Sequence, residues 1–116
     1  RAELLYAAKW RALGLARAGY RAPRPGVHSA AGYDAARTIG ARIWAMVEGG
    51  FATPHDSLIA NKLAHILCGG FVAAGSEVGD QHYLDLECEA FLSLCGEQKT
   101  LDRIGHMLMN NKPLRN

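Results

Sequence analysis

Charge imbalance is the first thing this chain of 116 residues lacks. Thirteen Lys and Arg against eleven Asp and Glu leave a formal charge of +2. A phosphate-binding face needs a contiguous basic stripe. Here Arg and Lys are scattered, with short clusters such as "RAPR" (Arg21 to Arg24) and "KPLR" (Lys112 to Arg115) and no stripe, so no nucleic-acid partner is expected. Cysteine is sparse and odd in number. Cys68, Cys88 and Cys95 lie in or beside apolar helical runs, which fits a reducing cytoplasm better than a secreted scaffold. Cys88 and Cys95 stand two helical turns apart, and that puts their Cα atoms roughly 10 Å from each other, too far for a disulfide within one helix. No apolar run approaches the ~20 residues of a membrane span and no signal-peptide pattern is present, so no membrane partner is expected. The chain opens on Arg1 rather than Met, which reads as a trimmed chain or a fragment.

Catalytic and metal motifs are also missing. The spacing contains no HxxxH, CxxC or HxxEH, and a metal needs three or four converging ligands. His82, Cys88 and His106 are the least unsuitable trio, and no metal is expected. Neither "GGFVAAG" nor "EGGF" follows a strand and opens a helix, so no dinucleotide fingerprint exists. Asp85, Glu87 and Glu89 alternate on one helix and point in different directions, which suits a solvated or salt-bridged face rather than a catalytic pair. Cys95 precedes a helix whose positive end would favour a thiolate. Against that, Cys68 and Cys95 read as small apolar residues at helix ends. Each histidine has a plain reading. His55 follows Pro54 in a first turn, solvated or part of a cap; His65 and His106 lie on helices; His28 and His82 lie in or near loops. No catalytic residue and no cofactor are expected.

What remains is an apolar fraction of 49% and a charged fraction of 21%, values of a folded chain rather than a disordered one. Its pattern is helical almost throughout. Leu4, Leu5, Ala8, Ala12, Leu15 and Ala16 recur at helical spacing before a stop at Gly19. A loop, "YRAPRPGVHSAAGY", follows. The second helix is predicted over 35–48, with Asp34 as N-cap, a stripe of Ala36, Ile39, Ile43, Met46 and Val47, and Gly49-Gly50 as its stop. The third has the best-defined start: Thr53 caps, Pro54 takes the first position and Asp56 sits where a capping-box acid belongs. Its buried face is expected to be Ile59, Leu63, Ile66 and Leu67, closing at Gly69-Gly70. A fourth helix is predicted over 81–94 and a fifth over 97–109, the latter with Leu101, Ile104 and Leu108 on one face. The only strand candidate, "GGFVAAG", is short and flanked by glycine. The fourth helix is apolar enough to belong at the centre of a bundle or in a subunit or domain interface, with the bundle centre favoured. The expectation is an all-α bundle of about five helices, forming one helical domain over residues 1–116.

Three ordered blocks carry a resemblance. They are "LLYAAKWRALGLARAGYRAPRP", "EGGFATPHDSLIANKLAHILCGG" and "DLECEAFLSLCGEQKTLDRIGHML…KPLRN", and they cover essentially the whole chain. Together they resemble the C-terminal helical region of the bifunctional fatty-acid β-oxidation proteins, which join a 3-hydroxyacyl-CoA dehydrogenase to a crotonase-type enoyl-CoA hydratase. The last block resembles a natural C-terminus of such proteins. Cys88 stands where a basic residue is usual, Gln98 where proline opens the last helix, and Ala22 where the turn has proline; the loop around 27–33 matches least.

The resemblance implies that the oxyanion hole and catalytic glutamates of the hydratase lie upstream, as do the dinucleotide fold and the His–Glu pair of the dehydrogenase. No residue here inherits those roles. It implies instead a non-catalytic helical scaffold that packs on a crotonase-type domain, supports assembly and helps wall an acyl-CoA site. Two other functions stand beside it: a homodimerising interaction module, and a weak CoA or acyl-CoA binder in which Arg21 and Arg24 meet a phosphate.

Overall fold

The computed structural model describes residues 2–116. Five helices and one two-stranded ribbon follow one another as α1 (Ala2–Arg17), β1 (Val27–Ser29), α2 (Tyr33–Glu48), α3 (Pro54–Leu67), β2 (Glu77–Gly79), α4 (Asp80–Cys95) and α5 (Gln98–Asn110). The all-α class is as expected. The loop between the first two helices nevertheless contains a strand, pairing antiparallel with β2 in the register Val27–Gly79, His28–Val78 and Ser29–Glu77. "GGFVAAG" is not a strand but the turn that leads to β2.

The start of α3 follows local chemistry. The Thr53 hydroxyl accepts from the Asp56 N–H at 3.1 Å, and the Asp56 carboxylate accepts from the Thr53 N–H at 2.8 Å. Two orphan donors of the first turn are thereby satisfied, with Pro54 preset for helix behind them. The start of α2 differs from expectation. Gly32, not Asp34, occupies the cap, and no side chain caps the helix. The reason is a close approach. Gly32 has φ of +83°, and a Cβ there would lie 2.4 Å from the Ala74 nitrogen, so the turn requires glycine and pushes Asp34 inside the first turn.

The interior is small. Gly32 N–H donates to the Cys68 carbonyl and Tyr33 N–H to that of Val72, while Ala30 N–H bonds Ser76 and its carbonyl receives Gly75 N–H. The segment after α3 is thus wrapped around Ala30, which is 3% exposed. Gly69 permits this contact, since a Cβ on it would fall 2.7 Å from that of Ala30. The other buried side chains are Ile43, Ala64, Cys68 and His55.

The expected buried face of α3 needs correcting: His55 and Ala64 are the helix's buried residues, whereas Leu63 and Leu67 are exposed. Helix α4 has no buried residue, so it does not occupy a bundle centre. Every residue from Ala2 to Pro25 is exposed, and α1 stands away from the rest. The bundle is accordingly open. Its radius of gyration is 19.4 Å, against about 13–14 Å for a compact chain of this length. Its accessible surface of 9090 Å² exceeds the roughly 6,200 Å² of a compact protein of equal mass by about 2,900 Å².

Candidate interaction surface

Two polar clasps hold the open bundle in shape. In the first, Arg103 of α5 reaches the capping box of α3: its Nη1 donates to Asp56 Oδ1 at 2.7 Å and its Nε to Asn116 Oδ1 at 2.7 Å. Arg115 donates to the Phe51 carbonyl, and the Asn116 amide to that of Lys99. Beside them His55, 5% exposed, shares a hydrogen bond of 3.0 Å with the Thr100 hydroxyl. The Thr53 N–H bond, then the Arg103 guanidinium and the Thr53 hydroxyl, hold the Asp56 carboxyl far below the usual carboxylate range. In the second clasp Asp80 receives the His28 ring N–H and the Gly26 N–H, and these two bonds lower its pKa in that order. This ties β1 to the start of α4. His82, two residues further, donates to the Gly69 carbonyl.

The polar partners are thus consumed in holding the chain together, while the apolar side chains are left outside. Between α3 and α4 runs a groove of about 390 Å³, whose apolar lining includes Leu63, Ile66, Leu84, Phe91 and Leu94, with Lys62 and Glu87 among them. Trp44 and Met46 project from α2, and Leu101, Ile104 and Leu108 from α5. Tyr6 and Trp10 stack edge to face on α1, exposed. Large exposed apolar patches of this kind mark sites of association.

The residues singled out from sequence fall as follows. Arg21 and Arg24 are exposed, on the loop between α1 and β1. His82, Cys88 and His106 go to separate places: His82 bonds Gly69, Cys88 is exposed beside the α3–α4 groove, and His106 donates to the Lys112 carbonyl. Among the described residues no three His, Cys, Asp or Glu are grouped to hold a metal. Asp85, Glu87 and Glu89 are exposed. His55 corrects its solvated reading: it is buried between α3 and α5. Arg103, Asn116 and the His28–Asp80 pair were not singled out, because their partners lie far away in sequence and no local spacing signals them. No helix is long and apolar enough, among the described residues, to cross a membrane.

Fold and surface together define a class: a helical segment with little core of its own and apolar faces turned outward. Comparison with known proteins adds a relative. The chain is 45% identical over 117 residues to the probable 3-hydroxyacyl-CoA dehydrogenase of Bacillus subtilis (strain 168), covering 98% of this chain. The resemblance read from the three sequence blocks is thereby shown on the dehydrogenase side. The chain spans only 14% of that relative's length. No family model matches it, and no solved structure does.

Proposed function

We propose that the chain is a non-catalytic helical segment of a fatty-acid β-oxidation dehydrogenase, a scaffold that docks on a crotonase-type enzyme body and supports assembly. The observation that carries this reading is the missing core: only Ala30, Ile43, His55, Ala64 and Cys68 are buried among the described residues, while many large apolar ones face outward. Burial is worth about 25 cal/mol per Å² of apolar surface, so such faces are strongly driven to meet a partner. The exposed side chains of α2 and α5 are the docking faces for the enzyme body.

The test uses the Bacillus relative with its matching segment deleted and this chain supplied in trans. Co-elution of the two, with a rise in melting temperature of the truncated enzyme, is the expected result. The chain alone should turn over no 3-hydroxyacyl-CoA. Failure to bind, together with a small-angle scattering radius near the compact value, would overturn the scaffold reading.

A second reading rests on Arg21 and Arg24, both exposed on one proline-stiffened loop. There they would contact a phosphate of CoA, adding a weak acyl-CoA binding role. At 100 times its dissociation constant a ligand adds about 2.7 kcal/mol of stability. A CoA titration that leaves the melting temperature unchanged, in wild type and in Arg21→Ala/Arg24→Ala alike, removes this contact.

A further inference from the structure

We infer that the groove between α3 and α4 is the seat of helix α1 from a second copy of this chain, with the exchange made reciprocally. The inference goes beyond the scaffold reading and does not rest on it, because the enzyme body is assigned to the faces of α2 and α5.

Four observations on different scales agree. The first is shape. Helices α1 and α4 have 16 residues each, about 24 Å of helix. An amphipathic helix laid in a groove between two others is a common mode of recognition. The second is pattern. At 100° per residue Leu4, Leu5, Ala8, Ala12 and Leu15 share one stripe of α1, bordered by Arg11 on one side and Lys9 on the other. The groove offers Leu63, Ile66, Leu84, Phe91 and Leu94 to such a stripe.

The third is charge. Helix α1 carries Lys9, Arg11 and Arg17 against Glu3 alone, whereas α4 carries Asp80, Asp85, Glu87 and Glu89 and no Lys or Arg. Glu87 and Lys62 both line the groove; the Lys62 ammonium donates to the Ser93 hydroxyl at 2.8 Å, and a cation bordering the α1 stripe meets Glu87. The fourth is area. The surplus of about 2,900 Å² over a compact chain exceeds the 1,200–2,000 Å² that a stable interface typically buries.

The linker argues for the second copy over the chain's own helix. Strand β1 is pinned to β2 and Gly26 to Asp80, leaving Ala18–Pro25 between. Pro23 and Pro25 hold their own φ and bias the preceding residues to extended backbone. Helix α1 is therefore carried away from its own groove, where a neighbour meets it without bending the linker.

Charge reversal separates exchange between copies from closure within one chain, and the mass of the restored species, a dimer rather than a longer array, identifies the exchange as reciprocal. Glu87→Lys alone and Lys9→Glu/Arg11→Glu alone should each weaken self-association by at least tenfold in analytical ultracentrifugation. Mixed together, the two variants should associate as the wild type does. In the mixed pair each groove faces a helix of opposite charge, whereas in either variant alone both junctions repel. All three positions are exposed, so folding is retained, and circular dichroism checks it.

A second measurement is independent of charge. Ala12→Cys in a Cys95→Ser background should give, on mild oxidation, a covalent dimer through Cys88, absent when Cys88→Ser is added. A wild-type chain monomeric at every concentration overturns the inference. So does mixing that restores nothing, or a disulfide between positions 12 and 88 that closes within one chain.

Discussion

At the scale of single residues the chain depends on Asp56, which serves two elements at once. Its carboxylate completes the capping box of α3 and receives the guanidinium of Arg103 from α5. Asp56→Ala should cost about 1–2 kcal/mol, the upper part of the range for a lost capping interaction, because a partly buried ion pair goes with the capping-box bond. Arg103→Ala should cost less, and the two losses should fall short of additive in a double-mutant cycle read by urea denaturation. The sign of the pH effect follows from the depressed pKa. A depressed carboxyl stabilises the fold above its unfolded value near pH 4, and that stability is lost progressively as pH falls toward the folded value. Asp56→Asn should flatten this acid limb of the stability curve; an unchanged limb would remove Asp56 from the account. Glycine offers a paired test. Gly32→Ala, which drives a Cβ into the Ala74 backbone, should destabilise by well over 1 kcal/mol. Gly14→Ala, with open space in the middle of α1, should instead raise helicity by circular dichroism and favour the helix by about 0.5–1 kcal/mol.

At the scale of elements the helices are unequal. Helix α3 is held by its cap, by α2, by the Lys62–Ser93 bond to α4 and by the clasp to α5. Among the described residues the hydrogen bonds of helix α1 are its own, ending where Gly19 and Tyr20 N–H groups donate to the Ala16 and Leu15 carbonyls. Isolated helices of this length are marginal in water. Hydrogen exchange should therefore show amides of α3 protected most and those of α1 least, and protection spread evenly over both would contradict the open architecture. Helix α5 supplies the matching test of docking. Leu108→Lys changes a side chain that is 81% exposed, so the free chain should keep its stability within about 0.5 kcal/mol. The same variant should bind the truncated dehydrogenase at least tenfold more weakly if α5 is a docking face.

At the scale of the whole molecule, the relation between surface and mass governs behaviour. A chain whose surface exceeds that of a compact protein by nearly half has not completed its folding reaction until something covers it. Light scattering at two concentrations should report more than the monomer mass of 12.5 kDa, and a hydrophobic dye should bind and then be displaced as association proceeds. Trypsin should cut first after Arg17, the last residue of α1, and after Arg21 in the exposed connection that follows, before any site in α3.

Sequence alone determined what is local. Thr53, Pro54 and Asp56 lie within four residues and had to cap a helix, and periodicity placed α2, α4 and α5 to within two residues at either end. The three blocks also carried the likeness to a dehydrogenase. Tertiary structure decided everything that depends on what lies beside a residue. The stripe of Leu63, Ile66 and Leu67 was legible as apolar, but whether it is covered depends on where α4 lies, and α4 leaves a groove. Gly32 displaced Asp34 from the cap because the Ala73–Ala74 backbone crosses there. His55 was buried by Thr100, and Arg103 recruited by Asp56, across more than forty residues of chain. Apolar periodicity records that a face must be covered; which body covers it is a property of the assembled surfaces.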